Sequence, residues 1–329
     1  MSITSLRIRN FRNIEACELA PRAGINLLVG PNGAGKTALL EAVYLLARGK
    51  SFRSAGSRPL VMEGADRFEV FGRVGSDPAR LHRIGIQAGR GERRIRVDGR
   101  EEGRASTLAR LLPVGVLVPQ SHALLDRGPE GRRRLLDWGV FHVEHTYRDE
   151  VQRYGRALRQ RNLSLKADPR VAAAWEPALA AAGERITLRR QLYVEELNRR
   201  LPGWSARLLG REVRVAFRRG WREGAESLEH ALRAGREGDT ERGFTRVGPH
   251  RADLQILIGG REASLFGSRG QQKMTIAAML LAQAELLEER RPGELVLLVD
   301  DFPAELDRDW RWMLWEAIEG LGAQTLITA

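Results

Sequence analysis

The chain has one cysteine, Cys17, among 329 residues. An intrachain disulfide is therefore excluded, and a reducing, cytoplasmic setting is expected. No apolar stretch reaches the ~18 residues that a membrane span needs. The start, Met1-Ser2-Ile3-Thr4-Ser5-Leu6-Arg7-Ile8-Arg9, has no secretory core either, so no membrane partner is expected. Repeats of roughly 20 to 50 residues and low-complexity tracts are missing, which excludes a solenoid. Acidic residues are in deficit: 42 Asp and Glu stand against 54 Lys and Arg, a formal net charge of +12, with a pI near 10.8. The excess is nearly all arginine, and it favours a polyanionic partner, nucleic acid first. With 43% hydrophobic and 29% charged residues the chain is globular, and long enough for two or three domains.

What is present is dominated by residues 30 to 37, Gly30-Pro31-Asn32-Gly33-Ala34-Gly35-Lys36-Thr37. This is a complete G-x-x-x-x-G-K-[ST] loop, which a chain of this length matches by chance with a probability of roughly 1%. The apolar run Ile25 to Val29 before it reads as a buried parallel strand, and Ala38 to Ala47 after it as a helix. Strand, loop and helix is the context that a phosphate-binding loop requires. Gly30, Gly33 and Gly35, with Asn32 between them, let backbone N–H groups curl around an anion, and the helix adds its positive end. Lys36 has the reach for the β- and γ-phosphates of a nucleotide, and the Thr37 hydroxyl for Mg²⁺. ATP and Mg²⁺ are the expected cofactors.

Strand-like runs also occur at Phe68 to Val74, Arg83 to Gln87, Arg94 to Arg100 and Val114 to Val118. From Arg132 to about Arg200 the texture becomes helical, with a break expected at Asp168-Pro169, and roughly +7 of the net charge falls in residues 126–242. Strand signals return at Arg211 to Phe217, Asp253 to Ile258, Glu294 to Asp301 and Gln324 to Thr328, with helices at 271–289 and 309–321. The pattern predicts an α/β head with a mixed, partly parallel sheet built from residues 1–125 and 243–329, interrupted by a mainly helical arm at 126–242.

Asp300 and Asp301 close an apolar strand. Beside a phosphate-binding loop, the first acid suits the metal and the second suits the attacking water. Ser268-Arg269-Gly270-Gln271-Gln272-Lys273 opens a buried helix, either as an anion site or as an ordinary N-cap.

Together these segments resemble the RecF family of bacterial DNA replication and repair ATPases, within the ABC-type ATPases related to SMC and Rad50 heads. The resemblance is carried by Leu6-x-Ile8-x-Asn10-Phe11-Arg12-Asn13, Gly30 to Thr37 with Leu40-Glu41-Ala42, and Ser51-Phe52-Arg53. It continues through Gly128-Pro129-x-x-Arg132-Arg133, Arg161-Asn162-x-x-Leu165-Lys166, Gly248-Pro249-His250-Arg251, Ser268 to Lys273, and Val299-Asp300-Asp301 with Glu305-Leu306-Asp307. It implies that Ser268 and Gly270 contact a γ-phosphate held by a second protomer, that Asp307 lies at that dimer interface, and that Gln120 serves the metal or the water. It further implies slow, DNA-stimulated ATP hydrolysis, an ATP-dependent homodimer, DNA at single-strand gaps, junctions and stalled forks, and loading of RecA together with RecR. Family chains normally continue past the strand that ends at Thr328, where the final Thr stands near the histidine switch of transporters. A transporter nucleotide-binding subunit and a non-catalytic, ATP-gated DNA clamp are the alternatives.

Smaller signals carry less. His142 and His145 are three apart without further ligands nearby. Trp310, Trp312 and Trp315 crowd one helix, as core or dimer contact. Arg132-Arg133-Arg134 is a candidate phosphate contact or a solvated face.

Overall fold

A period-two pattern opens the chain and sets its first layer. In β1 (Ser2–Phe11) Leu6 and Ile8 are fully buried while Arg7 and Arg9 face outward. The strands that follow are β2 (Ile14–Leu19), β3 (Ile25–Leu28), β4 (Arg67–Gly75), β5 (His82–Gly89), β6 (Glu92–Val97), β7 (Arg100–Glu101) and β8 (Val114–Leu117). The remaining strands are β9 (Val213–Arg218), β10 (Asp253–Ile258), β11 (Arg261–Glu262), β12 (Val296–Val299) and β13 (Gln324–Thr328). The computed structural model describes residues 2–54, 56–75, 77–89, 91–126, 128–301 and 308–329.

The chain divides into two units, Met1–Ser121 with Leu280–Ala329, and His122–Met279. The first unit holds two sheets. One is antiparallel, in the order β2-β1-β4-β5-β6-β7; the other is wholly parallel, in the order β3-β13-β12-β8. Every residue of β12 and β13 is buried, which is why β12 reads as an unbroken apolar run. Helix α1 (Lys36–Arg48) shares one core with both sheets: Leu40, Val43 and Leu46 of α1 join Leu6 and Ile8 of β1, Phe68 of β4, and Leu298 and Leu326 of the parallel sheet.

The second unit is mainly helical. Asp168 caps the helix that starts at Pro169 by accepting from Arg170 N, so the chain breaks where expected. The helices Tyr147–Ala167 and Glu176–Leu209 run antiparallel, with Arg190 beside Tyr147 at one end and Glu176 beside Arg161 at the other. Arg161 is fully buried and bonds Glu176, Asp239 and the Thr245 hydroxyl at 2.8 to 3.0 Å. This unit also contains the sheet β11-β10-β9, and it runs on to Met279. The cause is the pairing of β10 with β9 along its whole length, from Asp253↔Arg218 to Ile258↔Val213.

That pairing also explains the arginine run. Arg132 makes a two-pronged ion pair with Asp253 at 2.9 and 3.0 Å, and Arg133 donates to Ala252 O at 2.8 Å. Only Arg134, 71% exposed and paired with Glu130, stands on a solvated face. Trp312 is 63% exposed and so is not a core residue. No helix among the described residues is long and apolar enough to cross a membrane.

Candidate nucleotide-binding site

The loop after β3 is shaped by two left-handed glycines, Gly33 at φ 83° and Gly35 at φ 92°. A Cβ on Gly35 would also lie 3.0 Å from Ile14 Cγ1, so side chain and backbone both require glycine there. Gly35 is the cap residue of α1 and supplies no side-chain bond, and the first turn holds no acid. The helix start therefore keeps free N–H groups and an uncompensated positive end. These groups line a cavity of about 540 Å³ together with Pro31, Asn32, Arg12, Arg53, Asp301 and Thr328. Lys36 Nζ folds over the loop and donates to Gly30 O at 2.5 Å. An uncapped helix start ringed by cations fits a polyphosphate.

Behind the loop, three elements meet. Thr37 lies in the first turn of α1, Asp300 follows β12, and Thr328 ends β13, which lies between β3 and β12 in the parallel sheet. Thr37 Oγ1 donates to Asp300 Oδ1 at 2.8 Å, and Thr328 Oγ1 donates to the same oxygen at 2.9 Å. Asp300 is 7% exposed. A hydroxyl and a carboxylate converging at the foot of the loop are hard oxygen donors of the kind Mg²⁺ takes. Asp301 is exposed on the cavity wall, and its backbone is left-handed at φ 40°, a conformation disfavoured for an L residue. Its N–H is held by Thr328 Oγ1 at 2.9 Å.

Residues not assigned a role from the sequence complete the wall. Glu41 of α1, fully buried, receives Arg12 Nε at 2.9 Å and Arg12 Nη2 at 2.7 Å, and also the Ser51 hydroxyl. Arg12 further donates to Pro59 O at 2.7 Å and to Ser54 Oγ at 2.9 Å. Ser51 Oγ in turn accepts from the N–H groups of Arg53 and Ser54. One carboxylate thus fixes the β1–β2 turn and the segment that carries Arg53 onto the cavity wall. Asn13 donates to Gly33 O, bracing the loop from the same turn. A carboxylate one helical turn after Thr37, on the core face of an otherwise apolar helix, is the signal in the sequence that marks Glu41.

Ser268 and Gly270, also expected at the site, belong to a helix start. Ser268 forms a reciprocal cap on the helix Arg269–Arg290: its Oγ accepts from Gln271 N at 3.3 Å, and its N–H donates to Gln271 Oε1 at 3.0 Å. Ser268 is exposed and Gly270 half-buried. Gln120 sits in the 3₁₀ turn Pro119–His122, whose Ser121 hydroxyl accepts from Val118 N. Asp307 falls outside the described residues. Among the described residues no group of three or more His, Cys, Asp or Glu is placed to hold a metal, so His142 and His145 form no such centre.

Comparison with known proteins places the chain in a family. The profile of the RecF/RecN/SMC N-terminal domain matches residues 2–329. The DNA replication and repair protein RecF of Pseudomonas aeruginosa (strain LESB58) is 39% identical over 333 residues, covering 100% of this chain and 90% of its own. That of Stenotrophomonas maltophilia (strain R551-3) is 41% identical over 341 residues, covering 100% and 93%. The solved structure of the recombination mediator protein RecF-ATP of the RecFOR pathway superimposes with a TM-score of 0.87 at 27% identity, over 100% of this chain and 91% of its own. An Smc head bound to the C-winged helix domain of ScpA gives 0.62 at 15% identity, over 100% and 90%, a likeness of fold alone. The architecture is the mixed α/β head of the ABC and SMC type. The chain belongs to the RecF family of DNA replication and repair proteins, within the RecF/RecN/SMC class of ATPases.

Proposed function

We propose that this protein is an ATP-driven DNA-binding switch. The observation that carries the reading is the convergence of Thr37, Asp300 and Thr328 behind the phosphate-binding loop, with Asp301 on the cavity wall. ATP binds over Gly30 to Thr37. Lys36 leaves its contact with Gly30 O to meet the β- and γ-phosphates, a rotation its flexible stem permits. Thr37 and Asp300 would hold Mg²⁺, which neutralises charge on the phosphate oxygens when bound. Asp301 orients the attacking water and takes its proton, with Gln120 as a second polar group. Hydrolysis is slow and DNA-stimulated.

Dimerisation follows from the same parts. Ser268 and Gly270 meet the γ-phosphate held by a second copy. Residues 1–125 and 243–329 serve as the ATPase head, with 126–242 as its arm. ATP closes the homodimer on DNA and hydrolysis opens it. The family supports a cytoplasmic role at single-strand gaps, junctions and stalled forks, where the protein assists RecA loading with RecR.

Support for DNA comes from the net charge of +12 and from the outer face of the antiparallel sheet. There Arg9, Arg73 and Arg96 are exposed on adjacent or near-adjacent strands, and Arg73 stands directly opposite Arg83. Like charges across a strand pair repel unless an anion lies over them. Lys36→Met removes the cation placed for the phosphates. A nucleotide titration should show loss of ATP binding with an unchanged thermal melt; affinity equal to wild type would withdraw the site assignment.

A further inference from the structure

We infer that Thr328 is a positioning residue that holds Asp301 in place and ties it to Asp300. The inference rests on the ATPase reading above and adds a part that this reading does not supply.

The hydrogen bonds of Thr328 have only one consistent direction. A backbone N–H can only donate, so the Asp301 amide uses a lone pair of Thr328 Oγ1, at 2.9 Å. The single hydroxyl proton is then free for Asp300 Oδ1, also at 2.9 Å. That same carboxylate oxygen receives Thr37 Oγ1 at 2.8 Å. A continuous chain therefore runs from the first residues of α1, through Asp300 and Thr328, to the backbone of Asp301. Topology makes it available: β13 lies between β3 and β12, with Thr328 opposite Leu28 and one residue beyond the pair Ile327↔Val299. Thr328 is 1% exposed, so water does not replace its hydroxyl cheaply.

Asp301 needs such a restraint. Its φ of 40° is unfavourable for a non-glycine residue. Released from Thr328, its backbone has a lower-energy β or right-handed helical conformation to relax into, and its carboxylate would leave the place from which it meets the water. Among the described residues, the Asp300 carboxylate would meanwhile keep the Thr37 bond alone. The hydroxyl of Thr328 thus couples the metal-binding acid to the placement of the water-orienting acid.

Two pairs of side chains that differ by a hydroxyl test this: Thr328 against Thr328→Val, and Thr328→Ser against Thr328→Ala. Steady-state hydrolysis should show kcat about tenfold lower in each hydroxyl-free member, equivalent to ~1.4 kcal/mol at the transition state, with KM for ATP unchanged within about twofold. A role in packing alone predicts another order. Thr328→Ser lacks a buried methyl and Thr328→Val keeps both branches, so packing would leave Val the better enzyme. The expected result is the reverse: kcat ranks Ser above Val. Equal kcat in Thr328→Val and wild type, or in Thr328→Ser and Thr328→Ala, would overturn the inference and leave the ATPase reading standing. A wild type whose hydrolysis does not depend on Lys36 would overturn both.

Discussion

At the scale of single residues, the site combines a strained acid with a buried one. Asp301 is exposed, left-handed and tethered through its amide; Asp300 is buried and receives two hydroxyls. The two neighbours are therefore not interchangeable. Asp301→Asn removes the proton acceptor and keeps a residue that tolerates a left-handed backbone. It should bind ATP as the wild type does and hydrolyse it at least about 100-fold more slowly. Phosphate release under single-turnover conditions measures this. Hydrolysis at the wild-type rate would move the water-orienting role to another group, Gln120 first. Glu41 is a further instance of one side chain setting several others. It gathers Arg12 and Ser51 at the cavity rim from a fully buried position.

At the scale of elements, the second unit depends on ion pairs taken out of water. Arg161 has no exposure, and Glu176 and Asp239 are almost as deeply buried. Burial alone would raise the Glu176 carboxyl, but hydrogen bonds and charge from Arg236 and Arg161 outweigh it and hold it below the usual carboxylate range. The sign follows: Glu176 stabilises the fold above its unfolded value of 4.5, and that contribution is lost as pH falls through the depressed folded value. Arg161→Met would leave Glu176 and Asp239 short of a buried partner, so a loss of about 3 to 5 kcal/mol is expected in urea unfolding. Arg134→Ala, on the solvated face, should change stability by less than about 0.5 kcal/mol. Equal effects of the two would contradict the burial argument. The sequence showed most of the longer strands, though not β2, and the phosphate-binding loop and the break at Asp168-Pro169, because each is a local pattern of period, glycine or proline. Thr328 beside Asp300, Glu41 beside Arg12, and β10 beside β9 were not legible, because sheet order rather than nearby sequence brings them together. Arg132-Arg133 read as free charge for the same reason: the partners, Asp253 and Ala252, arrive with β10.

At the scale of the whole molecule, the proposed function joins excess positive charge and a nucleotide site through one event. The arginines on the outer face of the antiparallel sheet have no base-reading module beside them, so phosphate contacts should dominate binding to DNA. Binding should be tolerant of sequence and weaken steeply with salt. Changing Arg9, Arg73 and Arg96 together to Gln should lower the log–log salt slope by about 0.9 for each phosphate no longer neutralised, up to roughly 2.7. An unchanged slope, measured by fluorescence anisotropy over a salt series, would assign that face to solvent. In the proposed function the joining event is dimerisation by ATP, and sedimentation velocity of Asp301→Asn with and without ATP and Mg²⁺ tests it most directly. The expected result is a monomer without nucleotide, a stable dimer with ATP, and no shift when Lys36→Met is added to the same chain. A sedimentation coefficient indifferent to ATP, or an equal shift in the Lys36→Met double variant, would contradict the account.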